Sequence, residues 1–350
     1  MEENNKYSGV KEIARRANVS IATVDRVIHN RTGVSEKTRK KINAIIAELD
    51  YQPNIMASRL ASRKTIRLSI LIPSVSPETD FWEAPLRGVQ RAQNEIRQYG
   101  VKVNFYFFDL NDKASFTKQA KRILEEKTDG ILLAPSFVEE SVQFSNQCKA
   151  QGIPFIYVDS SIPGQHNLSY IGPHLFKSGY LGGQLITFGL GVKPGKILIA
   201  NISKDNDNQS ISDGFEAYFK DHQLPNEIIR VNITDTDYPS VSNQLSEIRI
   251  HHPDLAAIFV TNSRVFTVAT YLEKNVQEKI LLLGYDFLKE NVNHLKKGTI
   301  DFLICHKPEE QWYKGVMSLY QTLVLSTQIE KEYLMPIDII TKENYEFYPN

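Results

Sequence analysis

Seven consecutive residues, Ser20-Ile21-Ala22-Thr23-Val24-Asp25-Arg26, place two hydroxyls, a small side chain and a guanidinium within two helical turns. A guanidinium on an exposed helix can donate two parallel hydrogen bonds to the O6 and N7 edge of guanine, and Arg26 is the candidate for that contact. Ala22 is small enough to let a helix approach a base edge, while Ser20 and Thr23 can donate to phosphates, which sets register without reading sequence. Lys37, Arg39, Lys40 and Lys41 offer further charge to a phosphate backbone. Basic residues also decorate any solvated helix face, so the surrounding elements have to decide between a nucleic-acid reader and a structural bundle.

Those elements are three short helices. Val10, Ile13, Ala14 and Ala17 recur at helical spacing and leave Lys11, Arg15 and Arg16 outside. A tight connection follows at Asn18-Val19. Ser20 then caps the next helix, because its hydroxyl can accept from an amide that has no partner in the first turn. That helix is predicted from Ile21 to about Ile28, with Val24, Val27 and Ile28 toward the core and Ile21, Ala22, Asp25 and Arg26 at or near the opposite face. Two helices so joined form a helix-turn-helix, whose second helix enters the major groove. A third helix is predicted from after Ser35 to about Leu49, with Ile42, Ile45, Ile46 and Leu49 as its stripe. Beyond Pro53, the stretch Asn54 to Ala61 is too short to be a stable helix alone in water and is expected to be helical only on DNA. Its Ile55, Met56 and Leu60 do not suit a flexible Gly/Ser/Pro linker.

The 350 residues carry no net formal charge, which argues against a simple polyanion binder. The distribution is uneven: residues 1–65 hold 13 Lys/Arg against 7 Asp/Glu, leaving 28 against 34 for the rest. A basic head on an acidic body results. Cys148 and Cys305 are the only cysteines and lack ligand spacing, so neither a disulfide framework nor a metal site is indicated. Without a basic-then-apolar leader or about 18 uninterrupted apolar residues, the expectation is a cytoplasmic protein with no membrane partner.

From Ile66 short apolar runs alternate with amphipathic helices, the pattern of βαβ units in parallel sheets. Nine strands are predicted: Leu68 to Ile72, Val103 to Phe108, Gly130 to Ala134, Phe155 to Asp159, Lys196 to Ala200, Ile229 to Ile233, Ala257 to Val260, Ile280 to Tyr285 and Thr299 to Cys305. That is too many for one doubly wound sheet of usual size, so two lobes with a cleft are expected. In such sheets ligands bind beyond the carboxyl ends of the strands.

The head resembles the LacI family of bacterial transcription regulators. Val10-Lys11-Glu12-Ile13-Ala14, Val19 to Val24 with Arg26-Val27, Val34 to Arg39, and Leu49-Asp50-Tyr51-Gln52-Pro53-Asn54 match in order and spacing. The body is similar to periplasmic sugar-binding proteins of the ribose type through Asp129 to Pro135, Gly152 to Asp159, Gly214-Phe215 and Gly284-Tyr285-Asp286. The resemblance implies a small all-α helix-turn-helix domain over residues 1–50 and a hinge helix and linker over 51–64. A two-lobed α/β domain of the periplasmic-binding-protein type (type I), with parallel sheets, would follow over 65–350. Lobe 1 would span about 65–172 and 306–335, lobe 2 about 173–305 and 336–350, with crossings near Gly172, Cys305 and Met335.

By the same resemblance, Ser20, Ile21, Ala22, Thr23, Asp25, Arg26, Asn30 and Lys40 would lie on DNA, and Leu60 would wedge into the minor groove with Ala57 near it against a partner chain. Phe81 and Trp82 would stack on a sugar face; Asp159, Asn262 and Asp286 would bond its hydroxyls; His174 and His306 would stand at further cleft positions. Three departures matter. Asp25 replaces the usual Ser, and can either accept from cytosine N4 or repel phosphates. Ser160 and Ile211 stand where the sugar binders commonly carry Arg, with Gln209 as a nearby substitute. The implied protein is a homodimer on a pseudo-palindromic operator, controlled by a small carbohydrate effector and using no cofactor.

An enzyme is disfavoured: the chain has no Gly-x-Ser-x-Gly elbow and no Walker A loop. The glycines Gly189, Gly191 and Gly195 precede a predicted strand instead of following one, and His251-His252 runs into Pro253. A solute-binding protein of a sugar transport system is the alternative, since the body alone would fit it.

Overall fold

The computed structural model describes residues 9–28, 31–51, 65–76, 80–191, 195–204 and 208–348. The chain divides into two compact units, Met1–Lys64 and Thr65–Asn350.

In the first unit, α1 (Val10–Ala17), α2 (Ile21–Ile28) and α3 (Glu36–Glu48) enclose Ile13, Ala14, Ala17, Val24, Val27, Ile42 and Ile45. The turn after α1 depends on Asn18, which adopts the left-handed conformation at φ 55° that Asn tolerates better than most side chains. Lys41 from α3 donates to the carbonyl of Ala17 at 2.9 Å, closing the end of α1. Arg16 bonds Glu12 on its own helix at 2.9 Å and Glu48 of α3 at 2.8 Å. The two guanidiniums of Arg15 and Arg16 hold the Glu12 carboxyl down at about 2.

In the second unit the chain runs β1 (Ile66–Pro73), α4 (Glu83–Ile96), β2 (Val101–Phe108), α5 (Lys113–Glu125), β3 (Gly130–Leu133), α6 (Val138–Ala150), β4 (Phe155–Val158) and β5 (Ser169–Gly172). It continues through α7 (Leu175–Leu190), β6 (Lys196–Ile202), α8 (Gln209–Asp221), β7 (Ile228–Ile233), α9 (Tyr238–His251), β8 (Leu255–Val260), α10 (Val265–Asn275), β9 (Leu281–Tyr285), α11 (Lys289–Lys297) and β10 (Phe302–Cys305). Last come α12 (Pro308–Leu323), β11 (Glu332–Leu334) and β12 (Asp338–Ile340).

Two six-stranded sheets result, ordered β11-β5-β4-β3-β1-β2 and β12-β10-β9-β8-β6-β7. Every pairing is parallel except β10 with β12. The chain passes between the sheets after β5, after β10 and between β11 and β12. Strands β3 and β4 are buried throughout and β8 at every position but Ala256, as both-face burial of parallel sheets requires. Three strands add to the nine expected from sequence: β5, β11 and β12 are only 4, 3 and 3 residues long, too short to show a period of their own.

Each lobe has a pair of helices in backbone contact. A Cβ on Gly179 of α7 would lie 1.9 Å from the carbonyl oxygen of Ile211, and one on Gly214 of α8 would lie 2.0 Å from that of Phe176. In the other lobe, a Cβ on Gly88 of α4 would lie 2.1 Å from the carbonyl oxygen of Glu309 at the start of α12.

Candidate functional site: a polar cleft between two sheets and an exposed helix in the head

On the head, Ser20 sits directly before α2. Its Oγ accepts from the Thr23 amide at 3.2 Å and lies 2.9 Å from Thr23 Oγ1, so both hydroxyls take part in the cap while remaining near the surface. Ile21 is half exposed (50%), and Ala22 and Arg26 are exposed, while Val24 and Val27 are buried. An exposed Ile beside an exposed Arg has no role in the head's own core. Asp25 pairs with Arg31 at 3.2 Å, so its charge is partly compensated within the head. Lys40 is exposed, whereas Arg39 donates to the carbonyl of Arg31 at 3.0 Å and Lys41 to Ala17. Asn30, Ala57, Leu60 and the whole predicted hinge helix fall outside the described residues.

In the body, a cavity of about 240 Å³ opens at the carboxyl ends of strands from both sheets. Phe81, Trp82, Ser136, Asp159 and Ser160 line it from one lobe, and Ile211, Asn262, Arg264, Tyr285 and Asp286 from the other. His306 lies on the crossing between β10 and α12 and also reaches it.

The two aspartates occupy matching places, one residue past β4 and one past β9, and both have left-handed backbones at φ 73° and 71°. Asp tolerates that region better than most residues, and neighbouring groups hold it there. The Asp159 amide donates to Ile171 at 3.1 Å, and the Tyr170 hydroxyl lies 3.1 Å from the Asp159 carbonyl and 2.7 Å from that of Pro173. The Asp286 amide donates to Ile304 at 2.9 Å, and its carbonyl accepts from the amide of the fully buried Asn291 at 3.0 Å. Asn291 also reaches the carbonyls of Tyr285 at 2.9 Å and Ser263 at 3.0 Å, and accepts from the Phe266 amide at 3.1 Å. Nothing in the sequence marks Asn291 as a positioning residue, since it lies on an ordinary amphipathic helix.

Both carboxyls are half-buried and shifted upward. Burial raises Asp159 to about 6; burial and then the charge of Asp159 raise Asp286 to about 8. Asp286 therefore feels the field of Asp159. Burial pushes His306 down to about 3, so its ring is neutral near pH 7. His306 Nε2 lies 2.8 Å from Ser178 Oγ, which lies 3.0 Å from the Tyr285 hydroxyl, while the His306 carbonyl accepts from Gln311 Nε2 at 2.8 Å.

Of the other expected cleft residues, Trp82 is buried edge-to-face between Phe81 (5.0 Å) and Trp312 (6.3 Å). Asn262 lines the cavity, but its amide donates to Ile202 at 2.9 Å and its Oδ1 accepts from the Arg264 amide at 3.1 Å, which ties strand ends together. His174 and Gln209 are not in the lining. His174 is the exposed cap of α7, its Nδ1 3.4 Å from the Lys177 amide, and Gln209 donates to Asp213 one helical turn on at 2.8 Å. Gln311 and Arg264 line the cavity without having stood out in the sequence.

Residues 9–54 match the family model described as bacterial regulatory proteins, lacI family, and residues 70–324 match the periplasmic binding protein domain. The chain is 34% identical over 155 residues to the HTH-type transcriptional regulator RegA of Clostridium acetobutylicum, an alignment covering 44% of this chain and 43% of that protein. It spans less than half the length of the curated relatives it matches. A crystal structure of a protein assigned as a LacI transcriptional regulator from Bacteroides fragilis superposes with a TM-score of 0.74 at 28% identity, over 82% of this chain and 100% of that one. The structure of GanP, a glucose-galactose binding protein from Geobacillus stearothermophilus, superposes with a TM-score of 0.72 at 21% identity, over 80% of this chain and 99% of that one. At that identity the likeness concerns the fold.

Proposed function

We propose that this chain, whose residues 9–54 match the lacI family of bacterial regulatory proteins and whose residues 70–324 form a periplasmic binding protein domain, is a sequence-specific DNA-binding transcriptional regulator, a repressor, whose hold on its operator is set by a small ligand. That ligand is a sugar or sugar derivative taken up between the two sheets. The observation that carries the reading is the cavity, lined from both lobes by Phe81, Trp82, Asp159, Asn262, Asp286 and His306, in a chain whose head exposes Ile21, Ala22 and Arg26 on a capped second helix.

Paired carboxylate acceptors and a flanking aromatic pair suit vicinal hydroxyls above an apolar ring face. The ligand touches both lobes at once, so it favours the arrangement in which they meet around it, and the DNA-competent population shifts with it. Two copies acting as a homodimer would read two half-sites of a pseudo-palindrome, which is how one small helix-turn-helix acquires sufficient specificity. Capture of a solute for transport would use the same cavity and leaves the head without a task.

The test selects a duplex from a random pool with the full-length protein, screens sugars by thermal shift, and measures operator affinity with and without the best binder. A change of several-fold or more is expected. Unchanged operator affinity at saturating ligand would remove the regulatory reading.

A further inference from the structure

Three acceptor side chains stand out in the cleft, those of Asp159, Asp286 and Gln311. Among the described residues, neither the Asp159 nor the Asp286 carboxylate forms a side-chain hydrogen bond or an ion pair. Lys204 and Arg264 also line the cavity. The positions that could have brought guanidiniums alongside are Ser160 and Ile211, and both face the cavity. Gln311 supplies a further, independent sign. It is 1% exposed and lines the cavity; its Nε2 is engaged by the His306 carbonyl, and its Oε1 is buried with no hydrogen-bond partner. A buried acceptor without a donor is costly, and such atoms in a cleft mark where a ligand's donors go.

Resting on the sugar-responsive reading above, we infer that the effector is a hydroxylated small molecule bearing a protonated amine, an amino sugar or aminopolyol, whose ammonium lies between the carboxylates of Asp159 and Asp286. A neutral polyol donates hydrogen bonds to both groups but supplies no charge to offset the burial and the Asp159 charge that hold Asp286 largely protonated at pH 7. An ammonium has three donors and no acceptor; beside the ionised Asp159 it offsets the charge that raises Asp286 and favours ionisation of the second carboxyl on binding. The neutral His306 ring and the Phe81–Trp82 pair line the same cavity, beside the hydroxylated ring.

The test is isothermal titration calorimetry at pH 7 on the full-length protein with D-glucose, D-galactose and D-mannose, their 2-amino counterparts and the N-acetyl derivatives of these. At least one amino sugar should bind ten-fold or more tightly than its parent hexose, and N-acetylation, which removes the charge, should abolish the gain. Asp286→Asn and Asp159→Asn, which keep the side-chain shape, should each cut the amine preference by ten-fold while circular dichroism shows an unchanged fold. A parent hexose binding as tightly as its amino counterpart would overturn the amine inference and leave the sugar-responsive reading standing. Binding by neither class would overturn both. The wild-type comparison decides the matter even if a variant fails to fold.

Discussion

Asp159 and Asp286 make the stability of the body depend on pH. The folded-state pKa of Asp286 is raised from 3.8 to about 8, so the stability contributed by its neutral form is fully present below about 4 and is lost as pH rises through about 8. For Asp159 the window closes near 6. His306 acts in the opposite sense: its pKa is lowered from 6.5 to about 3, so its contribution is present above 6.5 and lost as pH falls toward 3. Asp286→Asn isolates one of these effects. Between pH 5 and pH 8 it should gain about 1–3 kcal/mol on the wild type without ligand, read from thermal melts across the range. Parallel melting curves for the two proteins would show that the carboxyl is not shifted. On the head, Arg26→Ala should cost about 1–3 kcal/mol on the selected operator and relax one position per half-site, while Lys40→Ala should weaken specific and random duplexes alike. Equal losses on both duplexes for Arg26→Ala would take it out of the readout.

At the scale of elements, the second lobe depends on how closely α7 and α8 approach. Gly179 and Gly214 each face a backbone carbonyl of the opposing helix, so a methyl at either position meets a group that cannot rotate away. Gly214→Ala should destabilise the body by about 1–3 kcal/mol or more in urea unfolding, despite the better helix propensity of Ala. A neutral or stabilising outcome would mean that the helices separate without penalty. The same interface supports Ile211 on the cavity wall and Ser178, which holds His306. A weakened α7–α8 contact is therefore expected to lower ligand affinity as well as stability.

For the whole molecule, the charge division matters most. Residues 1–65 carry 13 Lys/Arg against 7 Asp/Glu and the remainder 28 against 34, so on the proposed regulator reading the attraction to a duplex would be concentrated at the head. Operator affinity should fall on the order of 10²-fold or more between 50 and 200 mM salt in fluorescence anisotropy, since each neutralised phosphate releases counterions. A flat salt response would be incompatible with a head that works through phosphates. Ligand and operator must also act reciprocally: the factor by which a ligand changes operator affinity is the factor by which the operator changes ligand affinity. Titrating the ligand into free and operator-bound protein measures it from the other side.

The sequence by itself determined the features encoded within a few residues. The three head helices follow from apolar spacing and from the caps at Ser20 and Ser35, and most strands of the two sheets are continuous apolar runs. Asp159 and Asp286 could be placed because they end such runs. Tertiary structure alone decided the rest. β5, β11 and β12 exist as strands because neighbouring strands pair with them. Local bonds draw His174 and Gln209 away from the cavity wall. Asn291 and Gln311 acquired their places at the site from partners on other elements. The chemistry of the cleft depends on two carboxyls more than a hundred positions apart that line one cavity, the charge of one raising the pKa of the other, and no local pattern encodes that meeting.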